Sequence, residues 1–323
     1  MNLYPKIIIA TVLMAGIFNY SYATFRMEEP QEQINTGTTA LPYSCPTVPE
    51  SVILFGKKID LTRFDRHERM DRELLAFTYM HSTSIQMIKK ANRYFPIVEP
   101  ILKKNGIPDD FKYLMVIESN LNPNARSSAG AAGLWQFMKT TGREYGLEVN
   151  DNIDERYHVE KATAAACQYL KDAYEKYQDW VAVAASYNAG QARISSQLEK
   201  QYVKDALDLH LVEETARYVY RIIAAKIMFQ DPTRFGFELK ASQLYQPIPY
   251  REIVIDFEIS NLAEWALKHG TTYSMLKIMN PWLRQDFLQN KSRRTYILQI
   301  PKEERLHHFP EKVVPHDKNW VVE

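Results

Sequence analysis

The chain has little of what several common architectures require. Two cysteines, Cys45 and Cys167, stand among 323 residues, too few for a disulfide framework. Neither has the spacing of a zinc ligand and the eight histidines form no such cluster, so no metal is implied, nor any other cofactor. An excess of one charge is missing too: 40 basic against 39 acidic side chains leave a net charge of +1, which argues against a nucleic-acid binder. Long apolar runs are absent except from Ile7 to Phe18, which is shorter than the roughly 20 residues a membrane span needs. Lys6 precedes that run and the small residues of Ser21-Tyr22-Ala23 follow it, the pattern of an export signal cleaved after Ala23. A lipid-attachment cysteine would directly follow the run, whereas Cys45 lies well beyond it. The mature chain is thus expected to be exported to the periplasm or cell envelope with no membrane span.

With 46% hydrophobic residues, the chain can bury a sizeable core, divided between a larger and a smaller domain. Residues 24–60 contain Pro30, Pro42, Pro46 and Pro49 with little periodicity and read as a linker, to which Ile53-Leu54-Phe55-Gly56 could add a short extended piece. From Asp65 the pattern is helical through Leu74, Phe77, Ile85 and Ile88 to Lys104, where Asn105-Gly106 ends it. Pro108 and two acids then favour a new helix start, and Asn122-Pro123 stops that helix. Further helices are expected over Val159–Tyr177, from Trp180 to an end at Asn188-Ala189-Gly190, and from Glu213 to Met228 before Asp231-Pro232. Cys167 falls in the alanine-rich helix. A bridge to Cys45 would tie a flexible arm to a buried position, so a small thiol in the core is the preferred reading.

Within the helix from Asp109, the residues Phe111, Leu114 and Met115 form an apolar stripe, and the next place on it is Glu118. A carboxylate is therefore aimed at the core side, near a helix end where a cleft can open. Burial disfavours the charged form, so such a group holds its proton near neutrality, as a general acid must. Taken alone, a structural carboxylate paired with an arginine is the plainer account.

The residues that follow reverse that preference. Glu118-Ser119, then Gly133-Leu134-Trp135-Gln136-Phe137-Met138, then Ala185-Ser186-Tyr187-Asn188-Ala189-Gly190, then Glu214-Thr215 before Tyr218-Val219, occur in an order and spacing that resemble the lytic transglycosylases with a lysozyme-like domain, related to goose-type lysozyme. The match runs from about Phe64 to about Leu239 and departs from the family pattern at Ser186, where alanine is usual. The resemblance implies a mainly α fold with an all-helical catalytic domain over 61–240, Glu118 as the catalytic acid, and Ser127, Gln136, Met138, Tyr187, Glu214 and Tyr218 as substrate-binding residues. Ser127 would lie near the N-acetyl group, Tyr187 would approach the carboxylate or that group, and Glu214 and Tyr218 would line the distal cleft. Without it, Ser127 reads as a turn cap, Gln136 as a surface amide, Met138 as core filler, and Glu214 with Tyr218 as a solvated pair on one helical face. Trp135, between Leu134 and Phe137, is assigned to the core.

After Leu239 the texture changes. Arg251–Glu258 alternates like a strand, Asn261 caps a helix, Thr271–Leu283 holds another helix and Thr295–Pro301 another strand. This β-α-α-β order is similar to a LysM carbohydrate-binding module, with Glu258-Ile259-Ser260-Asn261 in place of the usual Gly-Asp-Thr opening. The expected layout is a small α+β LysM-like domain over 241–310, either a glycan module or a structural cap or partner surface, and a C-terminal tail over 311–323, with the adjacent His307 and His308 read as solvated. The family's activity is cleavage between N-acetylmuramic acid and N-acetylglucosamine by a single acid, with the substrate's N-acetyl group as nucleophile, giving a 1,6-anhydro end. Peptidoglycan glycan strands are the implied partner and protein partners are unspecified. A lysozyme-type hydrolase on the same scaffold and a non-catalytic wall-binding protein are the alternatives.

Overall fold

The computed structural model describes residues 45–303 and 306–322. The residues read as an export signal and those read as linker up to 44 lie outside them. Residues 51–60, read as linker, instead form a hairpin of β1 (Ser51–Leu54) and β2 (Lys57–Asp60), with Leu54 facing Lys57 across a two-residue turn. Phe55 and Gly56 in that turn both have positive φ, the geometry that matches the twist of paired strands. Leu54, Phe55, Ile59 and Leu61 are buried, so this segment belongs to the core. Two consecutive lysines and the nearby prolines hid that pattern.

The helical part runs through α1 (Phe64–Tyr79), α2 (His81–Lys104), α3 (Phe111–Ser119), α4 (Lys139–Glu144), α5 (Val159–Tyr177), α6 (Trp180–Ala189), α7 (Gln191–Lys200) and α8 (Glu213–Gln230). Helix α3 is apolar around most of its circumference, with Lys112 and Glu118 its charged side chains: Phe111, Leu114, Met115 and Val116 are fully buried and Tyr113 and Ile117 nearly so. Such a helix belongs at the centre of a core, and α3 packs against α2 and α8. Its start differs from expectation, since Pro108 and Asp109 form a turn before it. Asp110 ties that start in place: one carboxylate oxygen accepts from the Phe55 N–H at 2.7 Å and the other pairs with Lys226 of α8 at 2.7 Å. The Phe111 ring stacks on Phe55 with centroids 4.3 Å apart.

A second, smaller core gathers β3 (Tyr250–Ile255), α9 (Leu262–Lys268), α10 (Tyr273–Met279) and β4 (Tyr296–Pro301), the two strands pairing antiparallel with Ile255 opposite Tyr296. Asn261 caps α9 by accepting from the N–H groups of Ala263 and Glu264. Ala132, Ile153 and Tyr157 of the helical part belong to this core. The Asp154 N–H donates to the Trp282 carbonyl at 2.9 Å, and that of Arg284 to Asn152 at 2.8 Å.

Two sequence expectations are corrected at the C-terminal side. Residues 241–249, assigned to the LysM-like domain, lie on the helical part: Leu244 is fully buried in its core and the Tyr245 N–H donates to Lys89. The segment 311–323, read only as a tail, is a strap packed on the helical part. Trp320 is 3% exposed, sits against Phe95 and Phe229 and donates its Nε1–H to the Phe229 carbonyl, and the Val322 N–H reaches Leu239. Trp320 and the two valines after it are too short a stretch to show periodicity, which is why this anchor was illegible. His307 and His308 are exposed.

Cys45 is exposed and Cys167 buried, and both are free thiols. Burial pushes the Cys167 thiol up to about 11, consistent with an inert core group. Among the described residues, no helix is long and apolar enough to cross a membrane, and no group of three or more His, Cys, Asp or Glu side chains is gathered as a metal site.

Candidate active site

Glu118 lies in the last turn of α3, half-buried, with its neighbours Ile117 and Ser119 inside the protein. The chain leaves the helix through two consecutive left-handed residues, Asn120 at φ 50° and Leu121 at φ 53°. Neither is glycine, so the exit carries backbone strain that the packing must hold. Leu121, fully buried, anchors it.

Helix α8 crosses behind the carboxylate. The buried Tyr218 hydroxyl donates directly to Glu118 Oε1. Tyr218 thus sits on the Glu118 carboxyl rather than at a distal end of a cleft. One turn earlier Glu214 is exposed, and one turn later the Arg221 Nη2 donates to the Ile117 carbonyl at 3.3 Å. Burial pushes the Glu118 carboxyl above its ordinary range. The Tyr218 hydrogen bond and the Arg221 charge pull it back in part, while Glu214 adds to the rise. The neutral Tyr218 hydroxyl thus offsets only part of the rise, and the carboxyl keeps a higher proton affinity than an exposed one.

The other predicted residues come from the loop after α3 and from α6. Arg126, Ala132 and Phe137 are bridged in a compact fold, and the Gly133 N–H donates to the Ala125 carbonyl. Gly133 has φ +78° and its absent Cβ would stand 1.8 Å from the Arg156 carbonyl, so no other residue fits. Behind this loop the buried Arg156 pairs with Asp154 at 2.7 Å and donates to the carbonyls of Gly130 and Phe137. Because Asp154 also bonds Trp282, the small C-terminal core braces the loop from behind.

Ser127 is exposed, and its hydroxyl accepts from the Ala131 N–H at 3.0 Å, which makes it a turn cap in this state. Gln136, at φ 50°, donates its amide to the carbonyls of Gly133 and Ala125. Met138 is 43% exposed at the start of α4, an apolar side chain presented to solvent rather than core filler. Trp135 is fully buried and donates to the Thr163 hydroxyl at 2.9 Å. Its carbonyl accepts from the Tyr187 hydroxyl at 2.7 Å, so Tyr187 is hydrogen-bonded to the loop rather than to the carboxylate. Burial, then the charge of Glu118, raises the Tyr187 phenol well above its usual range, which places the two groups within electrostatic reach.

Arg221 went unpredicted. Its spacing of seven from Glu214 and three from Tyr218 puts all three on one face of α8, a signal that was readable in the sequence.

Comparison with known proteins follows the same division. Residues 96–209 match the model of the transglycosylase SLT domain, and residues 251–304 that of the soluble lytic transglycosylase C-terminal LysM-like domain. The first span includes Glu118, Ser127, Gln136, Met138 and Tyr187 and stops short of Glu214 and Tyr218. Over 251 residues the chain is 27% identical to membrane-bound lytic murein transglycosylase D of Escherichia coli, covering 76% of this chain and 54% of that protein. It is 32% identical over 120 residues to the peptidoglycan transglycosylase gp16 of an Escherichia phage, 36% of this chain and 9% of the phage protein. The chain spans about half the length of the first of these relatives. Among solved structures, lytic transglycosylase Slt of Pseudomonas aeruginosa aligns with 51% of this chain and 32% of its own at 18% identity and a TM-score of 0.35, a likeness too slight to bear on the fold.

Proposed function

We propose that this chain, which carries a transglycosylase SLT domain and a LysM-like domain, is a peptidoglycan lytic transglycosylase that cuts the β-1,4 bond between N-acetylmuramic acid and N-acetylglucosamine without water. The observation that carries the reading is Glu118: a carboxyl raised by burial, held by the neutral Tyr218 hydroxyl, at the mouth of a loop that carries Ser127, Gln136 and Met138. Protonated Glu118 delivers its proton to the leaving glycosidic oxygen as the bond to the anomeric carbon breaks. The substrate's N-acetyl oxygen bonds to that carbon in its place. The Glu118 carboxylate then takes the proton of the sugar's 6-hydroxyl, whose oxygen displaces the N-acetyl oxygen and closes the 1,6-anhydro ring. Acid and base are one residue used twice, so no second carboxylate is needed opposite it. Ring closure wins over hydrolysis when the 6-hydroxyl is held close and water is kept off the anomeric carbon.

Gln136 and Met138 would contact the glycan, and Ser127 would turn from its loop bond to the N-acetyl group. Tyr187 would hold Trp135 and the loop while Glu214 offers its exposed carboxylate to the strand. The LysM-like part, sharing a core with Ile153 and Tyr157, fits a brace for the loop better than a free tether. The N-terminal apolar run and a relative named as membrane-bound both support action in the cell envelope.

Mass spectrometry of purified peptidoglycan digested with the protein tests the reading. Muropeptides lighter by one water than hydrolysed ones are the expected result. Ordinary reducing ends would make the enzyme a muramidase, and no release would favour a wall-binding protein.

A further inference from the structure

We propose that Arg221 is a positioning residue for Glu118, capping the last turn of α3 through the Ile117 carbonyl so that the acid keeps its orientation. The inference rests on the transglycosylase reading and concerns a residue outside the matched SLT span.

The last carbonyls of a helix have no partner within it. Here the Val116 carbonyl receives the Asn120 N–H and the Ser119 carbonyl receives the Asn122 N–H. Ile117, between them, is bonded from another helix by the Arg221 guanidinium, 104 positions along the chain. A cation suits that place, because the C-terminal end of a helix dipole is negative. The need is local: Asn120 and Leu121 both hold left-handed backbone straight after the helix, so the turn bearing Glu118 would relax if its end were not pinned. Tyr218 grips the side chain and Arg221 grips the backbone one residue before it, from the same face of α8.

The cation also bears on the proton. The groups facing Glu118 are Tyr218, Glu214 and Arg221 from α8 and Tyr187 from α6, while Lys90 of α2 reaches the Asn120 carbonyl at 3.3 Å. Arg221 is the one cation among them that lowers Glu118, against burial and Glu214. Removing it raises the carboxyl further, so the pH above which the acid has lost its proton moves up.

The test compares pH profiles of kcat/KM on soluble glycan oligomers for wild type, Arg221→Gln and Arg221→Lys, with an NMR titration of isotope-labelled Glu118 in the same proteins. In Arg221→Gln the alkaline limb is expected to move up by about one pH unit. Its kcat is expected to fall about tenfold with KM little changed. Arg221→Lys should restore the limb but not the full kcat, because the shorter side chain keeps the charge but reaches the Ile117 carbonyl less well. An unmoved limb in a folded Arg221→Gln protein overturns the proposal. Should that variant fail to fold, full activity in Arg221→Lys would overturn the positioning role and a loss confined to kcat would support it. If wild type cleaves nothing, the transglycosylase reading fails separately. The NMR midpoint, which needs no substrate, then decides: a rise in Arg221→Gln supports the coupling and no change refutes it.

Discussion

Helix α8 offers consecutive side chains to two glutamates, and the contrast between the pairs separates structure from chemistry. Arg217 meets Glu73 of α1 with two hydrogen bonds, Nε to Oε1 at 2.5 Å and Nη2 to Oε2 at 3.1 Å, and the Glu73 side chain is 2% exposed. Tyr218 meets Glu118 of α3 with a single neutral hydroxyl, and Glu118 stays half-open to solvent. A guanidinium fork supplies the opposite charge and matches the carboxylate in geometry, which fixes α1 on α8. A phenol supplies only one hydrogen-bond donor. A buried carboxylate is therefore matched by a cation where it joins α1 to α8, and left without full compensation at Glu118, where the proposed mechanism moves a proton.

The largest expected effect breaks the catalytic half of the comparison. Glu118→Gln keeps the shape and the hydrogen bond from Tyr218 but cannot transfer a proton, so turnover on peptidoglycan should drop about 10²–10⁴-fold while binding to sacculi persists. Lost binding together with lost activity would make Glu118 a structural residue. The structural half is broken by Arg217→Met, which strands Glu73 without its cation and should cost about 3–5 kcal/mol. In a chain of this size that lowers Tm by roughly 5–8 °C. Activity per folded molecule should survive below the transition, and a turnover defect at full foldedness would show that the joint reaches into the site.

These two glutamates also show how much the sequence could tell. Glu118 was legible because it broke the apolar stripe of Phe111, Leu114 and Met115, and because ordered motifs followed it. Glu73 lies inside an ordinary amphipathic pattern beside Leu74, so nothing marks it as buried, and its partner is 144 positions away. The helix succession and the β-α-α-β end were readable from periodicity and caps. Of the hairpin at 51–60 only an extended piece at 53–56 was readable, and the strap through Trp320 and the α7 helix were not, because short or polar segments owe their places to contacts with distant elements. Arg221 and Tyr218 fell between: their spacing on α8 was visible, but their targets on α3 were not.

A smaller effect is expected from Tyr218→Phe. Without the hydroxyl, Glu118 loses a hydrogen bond that lowers its proton affinity and fixes its rotamer. Turnover should fall about tenfold. The alkaline limb of the pH profile should move upward, because the remaining burial and the Glu214 charge both favour the protonated acid. A limb that moved downward would mean that Tyr218 stabilises the neutral carboxyl instead. Tyr187→Phe breaks only the bond to Trp135, so it should lower activity with little movement of the limb, which separates the two tyrosines.

The smallest effect sharpens the contrast in stability. Glu118 binds its proton more tightly in the folded protein than an ordinary carboxyl does. Between the unfolded and the folded pKa the native state therefore holds more protons than the unfolded one, and stability falls as pH rises through that window. Above it, the fold bears the full cost of an ionised, half-buried group that no salt bridge offsets. Glu118→Gln has no such group, so it should melt at a higher temperature than wild type near pH 7, and the gap should close as pH approaches about 4. Differential scanning calorimetry across that range reads both. A gap of the opposite sign would mean that Arg221 and Tyr218 together outweigh burial, and Glu118 would then belong with Glu73 as a stabilising carboxylate rather than as the acid whose exposure to a substrate the fold sustains at a loss.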